Sequence, residues 1–174
     1  MRSTIKIVIL LFFICTSMSG ASFPDMEKYM RQHALIWEQL PMQWNEGAFL
    51  GNGLVGMMVY ADSTLNALVF HLGRPDVTDH RKAPYRKTSI GTEEADKMVD
   101  FCRLDVGKML LFPEGKILSG TFYLDIYNAE LTGHLKTDKG DLTFHAYTPQ
   151  PEEVNIVEVS SGVPYRWKGI PGNP

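Results

Sequence analysis

Between Ala129 and Thr148 the chain alternates apolar and polar residues with a period of two. Leu131 and Leu135 alternate with Glu130, Thr132, His134 and Lys136; after Asp138-Lys139, Leu142, Phe144 and Ala146 alternate with Asp141, Thr143, His145 and Tyr147. Successive side chains of a strand point to opposite faces, so these are two half-buried strands joined by a turn. Pairing Leu135 with Leu142 puts both apolar sets on one face and both polar sets on the other, which predicts the register as well. Leu54–Ala61 and Thr64–Leu72 form a second hairpin signal around Asp62-Ser63. Met109–Phe112 and Lys116–Tyr127 read as another around Pro113-Glu-Gly-Lys116, and Val154–Val159 supplies a further strand before the closing Gly162–Pro174 stretch.

Two segments have a helical period instead. Met26, Tyr29, Met30, His33 and Trp37 recur every three or four residues, with Asp25 as N-cap and Pro41 as the stop. Thr92 heads a second short helix to Cys102; Glu93 and Glu94 fill its first turn, and Ala95, Met98, Val99 and Cys102 share one side. The glycines between Pro41 and Gly56 mark an ordered loop leading into a strand, and Gly73–Ile90 is polar and basic. One or two short helices with six or seven strands predict a mainly β protein, an antiparallel β-sandwich.

Composition agrees with a folded chain: 44% of the 174 residues are hydrophobic and 21% charged, which excludes disorder and collagen-like structure. The N-terminus reads differently. Arg2 and Lys6 precede the apolar run Ile7–Ile14, and small residues follow to Ala21. This is the pattern of a secretory signal peptide over residues 1–21 and predicts a secreted or periplasmic protein. Eight apolar residues are far fewer than the roughly 20 of a spanning helix, so no membrane association is expected once the signal is removed. Ile14 before Cys15 is a poor fit to a lipoprotein cleavage site. The signal carries two cations and no acid, so its removal takes the formal charge from −3 to −5, and no nucleic-acid partner is expected. Cys102 is then the sole cysteine, which excludes an intrachain disulfide and suits a small packing residue.

The sequence lacks Gly-x-Ser-x-Gly, Cys-x-x-Cys and His-Glu-x-x-His, so hydrolase elbows, thiol redox chemistry and zincin-type sites have no support. Gly51-Asn-Gly-Leu-Val-Gly56 spells a dinucleotide fingerprint but precedes a strand, whereas that fingerprint follows a strand and opens a helix. The densest polar group is His71–Lys82, at the end of a strand. There Arg74 and Arg81 suit carboxylate or hydroxyl groups, Asp76 and Asp79 suit sugar hydroxyls, and His80 titrates near neutral pH. The same residues also make an ordinary solvated loop that pairs its own charges. His134 and His145 lie diagonally across the Ala129–Thr148 hairpin, but no third ligand joins them, so no metal and no cofactor is expected. Trp37, Trp44, Tyr85, Tyr165 and Trp167 have faces suited to sugar rings or to packing. Glycosidases place two carboxylates roughly 5–9 Å apart across the scissile bond. Asp76 and Asp79 share one loop and cannot flank a bond in that way, so no catalytic residue is assigned.

Leu50-Gly-Asn-Gly-Leu-Val-Gly-Met-Met-Val-Tyr60 resembles the opening of the secreted glycoside hydrolases that join an N-terminal β-super-sandwich to a helical six-hairpin barrel, including the inverting α-L-fucosidases of glycoside hydrolase family 95. In that group a tryptophan and a Leu-Pro segment lead into a Leu-Gly-Asn-Gly turn, a strand, a hairpin and a second strand. Trp37, Leu40-Pro41, Leu50–Gly53, Leu54–Tyr60 and Leu65–Leu72 occur here in that order. The resemblance implies a supporting sandwich that lends loops to a substrate cleft, with the catalytic acid and base in the barrel. It places Leu50, Gly51, Asn52 and Gly53 in a structural turn fixed by Asn52. Nothing in this chain matches the barrel, so residues 22–174 are expected to be an N-terminal domain continuing beyond Pro174 and inactive alone. Its partners would be a carbohydrate and the protein's own C-terminal catalytic domain. The fucosidases follow the second strand with an Asn-Glu-Asp-Thr-Leu-Trp type sequence, where this chain has Leu72-Gly-Arg-Pro-Asp-Val77, which implies a related but distinct branch. A stand-alone secreted carbohydrate-binding or structural sandwich is the alternative.

Overall fold

The computed structural model describes residues 25–78 and 103–172. The chain divides into two compact units, residues 1–33 and 34–174. The proposed signal peptide and the Thr92–Cys102 helix lie outside the described residues. No helix among the described residues is long and apolar enough to cross a membrane.

The described part of the first unit is helix α1, Met26–Arg31. Asp25 caps it, its side chain accepting the Lys28 N–H at 3.3 Å, and Arg31 pairs with Glu27 one turn earlier at 3.0 Å. The helical spacing through His33 to Trp37 overshoots. Leu35–Trp37 is strand β1 instead, paired antiparallel with residues 122–124. Two apparent periods of an apolar pattern are too few to outweigh backbone pairing, and Leu-Ile-Trp is itself a good strand sequence.

The described residues of the second unit form ten strands in two antiparallel sheets, the sandwich that the alternating pattern predicts. Its strands are β1, β2 (Ala48–Gly51), β3 (Gly56–Asp62), β4 (Ala67–Gly73), β5 (Gly107–Pro113), β6 (Ile117–Asp125), β7 (Glu130–Thr137), β8 (Asp141–Tyr147), β9 (Ile156–Ser161) and β10 (Tyr165–Pro171). The first sheet has the order β1-β6-β7-β8-β9 and the second β10-β5-β4-β3-β2. Leu135 pairs with Leu142, as the alternation requires.

Pro113–Lys116 is not a hairpin turn. Strand β5 pairs with β4 and β10, whereas β6 pairs with β1 and β7, so this segment carries the chain from one sheet to the other. Asn66, at the tip of the β3–β4 hairpin with φ 53°, fixes the crossing. Its amide donates to the Gly115 carbonyl and its oxygen accepts the Ile117 N–H, both at 2.8 Å. Strand β10 is also new. It pairs with β5 over seven positions and is exposed throughout, and an edge strand ending Gly-Ile-Pro shows no burial alternation to betray it.

The core lies between the sheets. Leu68 and Phe70 of β4 and Leu111 of β5 face Leu131, Leu135, Leu142 and Phe144, while Ala67, Val69 and Leu110 form a second cluster on the other face of the second sheet. Apolar residues on both faces explain why β4 and β5 read as continuous hydrophobic runs. Gly133 of β7 lies between Phe122 and Phe144 on the neighbouring strands, whose rings meet edge-on above it at 5.5 Å. Phe144 meets Phe70 of the other sheet at 5.4 Å, and Phe70 meets Trp167 at 5.4 Å. A Cβ at position 133 would overlap the Phe144 ring. Gly133→Ala is therefore expected to destabilise the protein by about 1–3 kcal/mol, the usual cost of overpacking, seen as a lower urea midpoint. An unchanged midpoint would show that the Phe122–Phe144 contact does not need the glycine.

Candidate functional site

One end of the sandwich gathers four connections: the β2–β3 turn, the end of β4, residues 103–106 before β5, and the β8–β9 connection. Asn52 joins two of them. Its Oδ1 accepts the N–H groups of Leu54 and Val55 at 3.0 and 3.1 Å, and its own N–H donates to the Val55 carbonyl at 3.1 Å, closing the turn. Its Nδ2 donates to the carbonyls of Pro149 at 2.8 Å and Glu152 at 2.7 Å, so the same side chain holds the β8–β9 connection. Gln150 returns a bond to the Asn52 carbonyl at 2.8 Å, and Asn155, held by Thr148, donates to the Gly56 carbonyl at 3.4 Å. Gly53 at φ 90° takes the left-handed position of the turn, and a Cβ on Gly56 would press to 2.7 Å from the Leu50 carbonyl oxygen. Leu50 and Gly51, expected in a loop, are the end of β2.

Arg74 makes a second tie. Nε and Nη2 form a bidentate pair with Asp76 at 2.8 Å each, and Nη1 reaches Glu153 at 2.6 Å. All three side chains are at the surface, so the trio specifies geometry more than it stabilises the fold. The hydrogen bond from Arg74 holds the Asp76 carboxyl below its ordinary range, and the two carboxylates hold the guanidinium above its own. His71 Nε2 lies 2.8 Å from Asp105 Oδ1, which also accepts the Gly107 N–H at 3.1 Å. Burial works against ionisation of Asp105, but these two hydrogen bonds and the nearby His71 and Lys108 prevail and lower its carboxyl. A general acid needs a raised carboxyl, and Asp76 and Asp105 are both shifted the other way.

Two concavities meet at this end and share Val55, Met57, Leu72, Gly73 and Arg74. The first, about 600 Å³, is a largely apolar cleft between the sheets, walled by Phe70, Met109, Val157 and Trp167 with Arg74 and Glu153 among its polar groups. The second, about 810 Å³, is a groove at the end of the second sheet, bordered by Trp44, Phe49, His71, Arg103 and Asp105. Trp44 comes from the 3-10 turn Trp44–Glu46 and Phe49 from β2. Arg103 is placed by an antiparallel bridge to Thr78, with the Leu104 N–H donating to the Val77 carbonyl at 3.0 Å.

Of the loop residues singled out from sequence, Arg74 and Asp76 are brought together. Asp79, His80, Arg81 and Tyr85 lie outside the described residues. His134 and His145 are on the outward face of the first sheet: His134 Nε2 faces Asp141 at 3.4 Å, and His145 faces Glu130 at 3.2 Å and Glu158 at 3.4 Å. Among the described residues no group of three or more metal-ligating side chains could hold a metal ion. Sequence reasoning missed Glu153, Gln150 and Asn155, whose partners are 79 to 99 residues away, and Asp105, which pairs with His71 across 34. No protein-family model matches the chain, and no curated protein matches it.

Replacing Asn52 by Ala removes an acceptor for two N–H groups and a donor for two carbonyls. Asn52→Ala is expected to lower stability by about 2–3 kcal/mol, since lost partners of part-buried polar groups cost about 1–3 kcal/mol each before water returns. Equilibrium denaturation measures it, and a loss within about 0.5 kcal/mol, typical of an ordinary surface change, would contradict the structural role.

Proposed function

We propose that this chain is the N-terminal, non-catalytic sandwich of a secreted glycoside hydrolase acting on oligo- or polysaccharides, with the catalytic acid and base in a helical barrel encoded downstream. The carrying observation is the Leu50–Gly53 turn. The segment on which the family resemblance rests is also the point where Asn52 ties the two sheets together. A supporting sandwich needs such a rigid end to present loops to a neighbouring cleft. The lowered Asp76 and Asp105 carboxyls suit neither residue to the general-acid role. Secretion rests on Arg2, Lys6 and the Ile7–Ile14 run. The exposed Trp44 and Phe49 in the groove favour a second reading, a stand-alone carbohydrate-binding module.

The purified chain is expected to release no product from aryl glycosides or from plant and host polysaccharides, and the reading frame past codon 174 to continue into a helical segment with paired carboxylates. Saturable turnover lost in Asp76→Asn would place the active site in this chain. A stop codon directly after codon 174 would overturn the two-domain reading in favour of the binding module.

A further inference from the structure

We propose that the groove at the end of the second sheet is a subsite for an acidic sugar, a uronate, with Trp44 as the stacking platform and Arg103 as the carboxylate anchor. This rests on the carbohydrate reading above and narrows its ligand class.

The groove's about 810 Å³ falls within the roughly 300–1,000 Å³ of small-molecule sites. Its aromatic residues are left in water: Trp44 is 63% exposed and Phe49 53%. An exposed indole offers a flat apolar face to the C–H face of a pyranose ring. Gly73 adds room, since nothing lies within 4 Å of the position its Cβ would take.

The charges around the groove are unequally satisfied. Arg74 is engaged by Asp76 and Glu153, and Asp105 by His71 and the Gly107 N–H. Arg103 is exposed, borders the same groove, and has no hydrogen bond or ion pair among the described residues. Among the described residues, then, the Arg103 guanidinium borders the groove without a counter-charge, and its planar fork matches a carboxylate bidentately. A neutral sugar would leave that match unused. A uronate supplies a ring face and a carboxylate in one residue, as the Trp44 and Arg103 pairing requires.

Isothermal titration of the full chain with galacturonate and glucuronate trisaccharides, each compared with its methyl ester, tests the assignment. The ester keeps the ring and removes the charge. At least one free acid is expected to bind about tenfold more tightly than its ester, the worth of one charge-assisted contact. Arg103→Gln is expected to abolish that preference, and Trp44→Ala to weaken acid and ester alike by about tenfold. Both residues are exposed, and an unchanged melting temperature confirms that the variants fold. Gly73→Val, which fills the groove without changing its charge, is expected to reduce binding of both forms. Acid and ester binding equally well, or an acid preference that survives Arg103→Gln, would overturn the acidic-sugar assignment and leave the carbohydrate reading standing. Binding of neither form at millimolar concentration would overturn the groove as a saccharide subsite, while the glycoside hydrolase reading is decided separately by the downstream reading frame.

Discussion

Four hydrogen bonds at one side-chain amide hold one end of the sandwich together. Asn52 spends its oxygen on the N–H groups of its own turn and its nitrogen on two carbonyls of the β8–β9 connection. No aliphatic side chain can do both, and an aspartate could only accept. Because the turn belongs to the second sheet and the connection to the first, the amide couples the two layers where the hydrophobic core ends. Glu153 lies one residue beyond the second carbonyl it holds, and so is placed for Arg74 at the end of β4. The cleft and the groove on either side of Arg74 inherit their shape from that coupling.

Packing supplies the rigidity behind it. Ring contacts from Phe122 through Phe144 and Phe70 to Trp167, edge-on for the first two and tilted for the last, run from the first sheet across the interior to the last strand of the second. Gly133 allows the first of them by leaving to the Phe144 ring the space that a Cβ would take. The last reaches an exposed edge strand, so the wall of the apolar cleft is an extension of the core rather than a separate loop.

What the sequence reveals follows the range of the forces involved. The β7–β8 register was legible because alternation and a short turn are local, and Leu135 against Leu142 satisfies both. The Asp25 cap was legible for the same reason. The end of the first helix was not, because β1 exists through pairing with β6 some 87 residues away. Nor was the crossing at Pro113–Lys116. A turn sequence signals a reversal of the chain but not the sheet to which the next strand belongs, and Asn66 decides that from the far end of another hairpin. Asn52 and Arg74 were visible as polar residues in a glycine-rich turn and a charged loop. Their partners were not, because Pro149, Glu152 and Glu153 carry no local mark of the contacts they make.

The site is thus built on one asparagine whose donors and acceptor are all used, beside an arginine paired with two carboxylates and another that has no ion pair among the described residues. If the coupling of the two sheets through Asn52 holds in solution, its two Nδ2 protons are shielded by the Pro149 and Glu152 carbonyls. Solvent exchange of the Asn52 side-chain amide, followed by NMR on the full chain, measures this directly. Exchange at least about tenfold slower than that of a free asparagine side chain is the expected result, as for hydrogen-bonded groups that exchange only on opening. Exchange at the free rate would contradict the lock and, with it, the arrangement of the cleft and groove around Arg74.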